Sequence, residues 1–196
     1  MVPQYQAEVH QRSVEIQYGR RVYRQTHQTA PRANHPMSDP GVIVDLNSQR
    51  LYLTDESGTQ HCYSVSTAAN GAGEGNDSGC TPRGLHRVRI KIGAGCPIGA
   101  VFRARRWTGE IYCEELALAQ PDRDWILTRI LWLTGLEPGC NRGGEVDTLR
   151  RYIYIHGCPD HEPMGVPRSH GCIRMRNTDL IELFDCVPVG ARIQIR

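Results

Sequence analysis

The sequence predicts a mainly β fold, with strands packed as a sandwich or a barrel-like sheet and two short helices. Short runs of β-branched and aromatic residues recur between turn-forming residues, and only two segments have a helical pattern. With 196 residues and 39% hydrophobic content, the chain can bury one core. We expect one folded domain at 39–196, preceded by a leader at 1–38.

The leader is rich in Gln, Arg, His and Pro and shows no sustained apolar period. This composition predicts a disordered or non-native segment, with a basic arm for anionic surfaces as the alternative. The formal net charge of +2 does not indicate nucleic-acid binding. No apolar run approaches the roughly 18 residues of a membrane span, and the first residues lack the apolar core of a secretory signal. We therefore expect a cytoplasmic protein, and a periplasmic one only if its native N-terminus differs.

The folded part begins with three predicted strands, VIVDL, RLYLT and HCYSVSTA, of which the first two form a hairpin around NSQ. In the next strand Val88, Ile90 and Ile92 alternate with arginine and lysine, which predicts one buried and one solvated face. The segment GAVFRARRWTGEIYC predicts a second hairpin with its turn at Thr108-Gly109. Its three arginines could bind acidic ligands, although a charged strand face is commoner: Arg103, Arg105 and Arg106.

The two predicted helices lie further along the chain. DWILTRILWLTGL at 124–136 fits a buried helix with Asp124 as its cap, and NTDLIELFDCV fits a second helix capped by Asn177 or Thr178. Between them, RRYIYIH alternates as a strand that ends at His156, and ARIQIR is a final predicted strand.

Four side chains with reactive potential lie close together in HGCPDHEPMGVPRSHGCIRM: His156, Cys158, His170 and Cys172. A cysteine nucleophile with a histidine base uses these residue types, and so does a metal held by thiolates and imidazoles, for which His161 is a fifth candidate ligand. Zinc motifs pair their ligands as CxxC or HxxxH, and neither pairing occurs here, so the metal hypothesis is the weaker one. We expect no metal and no cofactor.

The catalytic hypothesis explains more of this segment. A strand that ends at His156 brings its imidazole to a sheet edge, and Gly157 allows another segment to approach closely. Gly171 permits a tight turn that exposes the sulfur of Cys172 and points backbone N–H groups towards a developing oxyanion. Arg174 adds positive charge beside the sulfur, so we expect Cys172 to react readily and to have a depressed pKa.

The same segments resemble a known family. HG at 156–157 followed by SHGCIRM is similar to the signature of the YkuD-type L,D-transpeptidases, and IVDLNSQRLYL, YSVSTA, TPRG and VPVGARIQI are similar to other segments of that family. The resemblance covers about Val42 to Arg196. It implies a YkuD-type β-sandwich of mixed sheets for residues 39–196.

The resemblance also implies roles for individual residues. Cys172 would be the nucleophile, His156 the general base, and Arg174 a substrate-binding residue. Four residues would stabilise the oxyanion or position the reacting groups: Ser169, His170, Gly171 and Gly157. Cys158 stands where the family commonly has threonine or another small polar residue. If Cys158 lay near Cys172, a disulfide between them would consume the nucleophile in an oxidising compartment.

Members of this family cut a peptide bond after the L-centre of a diamino acid in a murein stem and pass the acyl group to an amine or to water. The segment from Asp124 to Gly157 resembles a short, signal-less branch associated with L,D-carboxypeptidase activity in murein recycling. This resemblance implies release of the terminal D-Ala from tetrapeptides, free or carried on a muropeptide or a nucleotide precursor. The alternatives are a true L,D-transpeptidase that crosslinks peptidoglycan or exchanges its D-amino acids, and a catalytically idle murein-binding module.

Overall fold

The computed structural model describes residues 15–18, 21–24, 41–55 and 57–196, and the chain divides into two compact units, 1–37 and 38–196. In the first unit, strands β1 (Glu15–Tyr18) and β2 (Arg21–Arg24) pair in an antiparallel hairpin. The prediction of a disordered or non-native leader at 1–38 otherwise lies outside the described residues. Within the described ranges, no helix is long and apolar enough to cross a membrane.

The second unit is built mainly of strands. Its elements in chain order are β3 (Val42–Asp45), β4 (Arg50–Thr54), β5 (Gln60–Ser66), β6 (Gly84–Ile92), β7 (Ala100–Arg103), β8 (Arg106–Ile111), α1 (Glu114–Ala119), β9 (Ile126–Gly135), β10 (Tyr154–Gly157), β11 (Ile173–Met175), α2 (Asn177–Cys186) and β12 (Arg192–Ile195).

Eight of these strands form a closed ring. The order is β10-β11-β5-β4-β3-β12-β6-β9, and a further pairing of β9 with β10 closes it, while β7 and β8 extend from β9 as a hairpin. The pairs β10–β11 and β3–β12 are parallel, and the others are antiparallel. The prediction of a mainly β fold with mixed strand directions and two short helices is therefore confirmed.

One hydrophobic cluster fills the ring, and every ring strand and α2 contribute to it. In β10 and β11 the residues that face this cluster are Ile155, Ile173 and Met175, all fully buried. Each such side chain stabilises the fold by about 1.5–3 kcal/mol when it leaves water. Because side chains alternate between the two faces of a strand, this packing fixes which residues of β10 and β11 face away from the core.

The prediction of a helix at 124–136 is wrong, because Ile126–Gly135 forms β9. One edge of β9 pairs with β6 and β7, and the other pairs with β10. Most of its residues are buried, so it lacks the alternation of a strand with one solvated face. A continuous apolar run of this kind does not distinguish a buried strand from a buried helix. The first short helix is instead α1, which has no buried residue.

Two finer predictions about the strands are also wrong. The hairpin of β7 and β8 turns at Ala104 and Arg105, whose φ angles of +47° and +66° fit a two-residue turn, whereas Gly109 lies within β8. In β6 a bulge after Val88 interrupts the alternation, so that Ile90 is 40% exposed. The hairpin of β3 and β4 and the strands β5 and β12 are confirmed.

Candidate active site

Four side chains project from two parallel strands on the face opposite the core: Tyr154, His156, Cys172 and Arg174. In the register of β10 and β11, His156 pairs with Arg174, and Ile155 pairs with Ile173, which faces the core. Cys172 directly precedes β11 and packs with Tyr154 in a second hydrophobic cluster. The expected sheet edge is not found, because β10 is flanked by β9 and by β11. The structure nevertheless places Cys172 and His156 on one face of adjacent strands.

The sulfur of Cys172 is held by the backbone of β10 and the residues before it. The N–H of Tyr154 donates a hydrogen bond to Sγ over 3.4 Å, and the thiol donates to the carbonyl oxygen of Tyr152, also over 3.4 Å. Gly171, immediately before the cysteine, has a φ of +132°, a conformation that other residues rarely adopt. The tight turn expected at Gly171 is confirmed.

Side-chain hydroxyls fix the loop that carries Cys172. The hydroxyl of Ser169 accepts a hydrogen bond from the N–H of Gly171 at 3.2 Å and donates to the carbonyl of Cys172. The fully buried Thr81 donates to the carbonyl of Gly171 at 2.9 Å and accepts from the N–H of Ala68 at 3.0 Å. In this state the N–H of Gly171 is engaged within the loop, so Ser169 and Thr81 position the segment around the sulfur.

His156 is buried, and its ring has a defined orientation. Nδ1 lies 2.8 Å from the carbonyl oxygen of Gly157, which assigns the hydrogen to Nδ1 and leaves Nε2 as an acceptor. Burial lowers the pKa of His156, with a smaller lowering by Arg174 and an opposing effect of Asp124. The imidazole is therefore neutral at neutral pH and can accept a proton at Nε2.

The thiol of Cys172 is also neutral in this state. Burial raises its pKa to about 12, which outweighs the lowering by the N–H of Tyr154 and by the charges of Arg174 and Arg151. The expected depressed pKa is therefore wrong, since a positive charge nearby does not compensate for removing the sulfur from water. Before a substrate binds, the pair is a thiol and an imidazole rather than a thiolate and an imidazolium.

A polar network supports the backbone next to His156. A Cβ atom on Gly157 would lie 2.2 Å from Oδ1 of Asn177 and 2.8 Å from the carbonyl oxygen of Leu127, so the close approach expected there is confirmed. Nδ2 of Asn177 donates to the carbonyl of Cys158 at 2.9 Å, and the hydroxyl of Thr128 donates to Oδ1 of Asn177 at 2.6 Å. Because residue 157 has no side chain, Asn177 can pack against the backbone next to His156, and this contact positions His156.

Asn177 does not have the predicted role of helix cap. The cap residue of α2 is Arg176, no side chain caps the helix, and Asn177 and Thr178 lie within its first turn. Sequence reasoning missed the contribution of Thr128, because the segment that contains it had a helical pattern rather than a strand pattern. A polar residue with a φ of +68° in a buried strand marks the irregularity, but the sequence does not reveal that angle.

Arg174 forms ion pairs within the chain. Its guanidinium lies 2.9 Å from Asp124 and 3.6 Å from Glu162, and the residue is 8% exposed. A cleft of about 310 Å³ lies beside it and is also lined by Arg168 and by the exposed His170. The charge of Arg174 is thus shared with two carboxylates. The side chain of His170 lines the cleft, whereas Cys172 and His156 are not among its lining residues.

Cys158 lies too far from Cys172 to form the expected disulfide. Gly157 pairs with Met175, whereas Cys172 lies beside Tyr154, so the two cysteines are four residues apart along the strands. At about 3.3 Å per residue this separation is about 13 Å, and disulfides need Cα atoms within roughly 7 Å. Cys158 is buried, its thiol contacts the carbonyl of Met175, and burial raises its pKa to about 12. The expectation of a 158–172 disulfide is therefore wrong.

The candidate metal ligands do not converge. Among residues 41–55 and 57–196, no three His, Cys, Asp or Glu side chains lie close enough together to hold a metal ion. The thiol of Cys172 and the imidazole of His156 lie instead on one face of adjacent strands. The fold and this site define a mainly β domain with a cysteine and a histidine on adjacent parallel strands.

Comparison with known proteins gives the family. The family model of the YkuD L,D-transpeptidase catalytic domain matches residues 39–195. The putative L,D-transpeptidase YqjB of Bacillus subtilis is 28% identical over 166 residues, which cover 84% of this chain and 76% of YqjB. The probable L,D-transpeptidase ErfK/SrfK of Escherichia coli is 51% identical over 47 residues, which cover 24% of this chain and 15% of that protein.

A solved L,D-transpeptidase from Mycobacterium smegmatis aligns with a TM-score of 0.48 and 20% identity, over 80% of this chain and 59% of that one. The chain thus spans about three quarters of YqjB and less than two thirds of the solved structure. On the match to residues 39–195, the chain belongs to the YkuD family of L,D-transpeptidase catalytic domains.

Proposed function

We propose that this protein carries out cysteine-dependent acyl transfer at the L,D peptide bond of murein stem peptides, with Cys172 as nucleophile and His156 as general base. The observation that carries the proposal is the position of these two side chains on one face of β10 and β11. Membership in the YkuD family supports it, as does an imidazole whose Nε2 is left as an acceptor.

The neutral pair suits a concerted first step. As Sγ of Cys172 attacks the carbonyl carbon, Nε2 of His156 takes the thiol proton, and the carbonyl oxygen gains the negative charge. The imidazolium formed in this step is stabilised by the nearby Asp124, which favours the protonated ring. His156 then gives the proton to the leaving amine as the peptide bond breaks, and a thioester remains on Cys172.

We propose that water is the usual acceptor, so that the protein acts as an L,D-carboxypeptidase on tetrapeptides. The cleft beside Arg174 has about 310 Å³, near the lower end of the range for ligand pockets, which suits one small amino acid. Arg168 and His170 line it and can bind the carboxylate of a terminal D-alanine. Arg174 contributes here by holding Asp124 and Glu162 rather than as a free cation.

The test is to incubate the purified protein with a disaccharide tetrapeptide, with and without an added D-amino acid, and to identify products by mass spectrometry. Release of D-alanine alone supports the carboxypeptidase, whereas an exchanged D-amino acid supports the transpeptidase alternative. If neither a product nor an acyl-enzyme forms, the result would favour the alternative hypothesis of a catalytically idle murein-binding module. Activity should persist in EDTA, because no step of the proposed mechanism uses a metal.

Variants of both residues identify the chemistry. Cys172→Ser and Cys172→Ala should abolish turnover, and His156→Ala should reduce it by about 10²-fold or more, the usual contribution of a positioned base. Cys158→Thr should keep activity, because Cys158 lines the cleft but directs its thiol to the carbonyl of Met175 rather than towards Cys172. An inactive Cys158 variant together with an active Cys172 variant would reverse the assignment.

A further inference from the structure

A cluster of one arginine and three aromatic rings lies beside Cys172 and has no part in the mechanism above. The guanidinium carbon of Arg105 lies 4.9 Å from the ring centroid of Trp132 and 4.8 Å from that of Tyr152. Its Nη1 donates to the hydroxyl of Tyr154 at 3.4 Å. Arg105 occupies the turn between β7 and β8, so the hairpin brings this side chain over the rings.

The charge of Arg105 is not neutralised within the described part of the chain. There, Arg105 forms no salt bridge, in contrast to Arg123, which lies 2.8 Å from Glu110, and to Arg174, which has two carboxylate partners. Stacking on aromatic faces holds a guanidinium in place but leaves N–H donors at its edge unused. A planar cation held in this way is suited to bind a carboxylate through two hydrogen bonds.

Two of the three residues that contact Arg105 through their side chains also contact the sulfur through their backbone, namely Tyr152 and Tyr154. The backbone carbonyl oxygen of Tyr152 accepts the thiol hydrogen, and the backbone N–H of Tyr154 donates to Sγ. Burial raises the pKa of the Tyr154 phenol, Arg105 lowers that pKa, and Cys172 raises it further. The phenol therefore interacts electrostatically with both groups. The side chain of Tyr154 therefore spans from the sulfur, which contacts its backbone N–H, to Arg105, which contacts its hydroxyl.

The direction of the chemistry tells which part of a substrate would meet Arg105. His156 must return its proton to the leaving amine, so the leaving group lies towards His156 and the cleft beside Arg174. Tyr154 lies two residues before His156 in β10, on the side away from the leaving group. Arg105 contacts the other end, at Tyr152 and Tyr154. The acyl part of the substrate therefore lies towards Arg105.

We propose that Arg105, held by Trp132 and Tyr152, binds a free carboxylate on the acyl part of the substrate and selects for it. The proposal rests on the proposed function and makes it more specific. The preferred substrate is an anionic peptide in which the residue that donates the acyl group, or its close neighbour, carries a carboxylate rather than a carboxamide.

The first experiment compares two tetrapeptides that differ only in carboxylate or carboxamide on the diamino acid. The wild type should have a kcat/KM at least about tenfold higher for the carboxylate, the size expected for one charge-assisted hydrogen bond. Arg105→Gln should remove the preference by slowing the carboxylate peptide, and Arg105→Lys should keep part of it. Arg106→Gln is the matched control, because Arg106 is the exposed neighbour in the same hairpin. Circular dichroism checks that each variant is folded.

The second experiment does not depend on hydrolysis. Alkylation of Cys172 is followed by peptide mass spectrometry with iodoacetate, which carries a carboxylate, and with neutral iodoacetamide. The ratio of the two rate constants should fall several-fold in Arg105→Gln and stay unchanged in Arg106→Gln. An equal fall in both variants would overturn the proposal, because it would indicate only the general positive charge of the hairpin.

The two experiments separate the two ideas. If the wild type hydrolyses neither peptide but Arg105→Gln changes the alkylation ratio, the proposed function fails and the carboxylate site stands. If the wild type hydrolyses both peptides equally and Arg105→Gln leaves the alkylation ratio unchanged, the proposed function stands and the carboxylate site is refuted.

Discussion

Thr81→Val should destabilise the protein and impair the site, although residue 81 does not touch the sulfur. The fully buried hydroxyl of Thr81 donates to the carbonyl of Gly171 and accepts from the N–H of Ala68, and valine has nearly the same shape but can do neither. A buried group that loses its partner costs about 1–3 kcal/mol. With two such groups, the free energy of unfolding should fall by roughly 2–6 kcal/mol.

Equilibrium urea unfolding measures this change as a lower midpoint with an unchanged slope. Turnover should fall as well, by about 10²-fold in protein that is still folded, because a shift of about 1 Å in a reacting group has an effect of that order. Thr81→Ser is the control, since it keeps the hydroxyl and loses one methyl group, at about 1 kcal/mol. A valine variant within 0.5 kcal/mol of the wild type, with normal turnover, would refute the role assigned to this hydroxyl.

Four further predictions follow from the site and its surroundings. Gly157→Ala should lower both the free energy of unfolding and turnover, because its Cβ would collide with Asn177 and with the carbonyl oxygen of Leu127 beside His156, and a kcat/KM equal to that of the wild type would contradict this. The acid limb of kcat/KM should lie below pH 6.5, because burial lowers the pKa of His156 and activity is lost only when that ring is protonated, so a limb above pH 6.5 would count against His156 as the base. His86 is buried, with its pKa lowered to about 4. The unfolded chain therefore binds the proton more readily, and about 3 kcal/mol of the free energy of unfolding should be lost as the pH falls from 6.5 to 4. Urea unfolding should show a larger loss in the wild type than in His86→Gln, by about that amount, because the buried His156 contributes a loss of the same sign in both proteins. Cys158→Thr should be inactivated by a mild oxidant as fast as the wild type, and slower loss would restore the disulfide hypothesis.

The fold could be predicted where one face of a strand is solvated. In β3 and β4 buried and less buried residues alternate, so the pattern is visible in the sequence. It could not be predicted for β9, because a strand paired on both edges and buried on both faces has no polar face. The turn between β7 and β8 was misplaced because Gly109 was a stronger signal than Ala104 and Arg105, which adopt the left-handed conformation without being glycine.

The sequence indicates which residues are candidates for the site, but not the contacts that surround them. The spacing from His156 to Cys172 and the glycines beside them carry a local signal. Thr81 contacts the cysteine loop from a distant part of the chain, and Asp124 joins Arg174 across 50 residues, so neither contact is visible in a local pattern. The pKa of Cys172 was predicted in the wrong direction because burial by surrounding elements, rather than the arginine two residues away, determines it.

The closed ring of strands has a consequence for how the chain reaches its active form. Val42 pairs with Ile193, and Val65 pairs with Met175, so the ring depends on contacts between residues that are far apart in sequence. Chains dominated by such contacts fold slowly, over milliseconds to seconds, because the entropy of closing long loops is lost before the contacts form. The strand β11, which directly follows Cys172, pairs with β5 from an early part of the chain, and Thr81 holds the loop before it. The segment that carries Cys172 therefore reaches its final position only when these long-range contacts form. Recovery of the Cys172–His156 pair during refolding should follow the slow closing phase rather than the early formation of the β3–β4 hairpin.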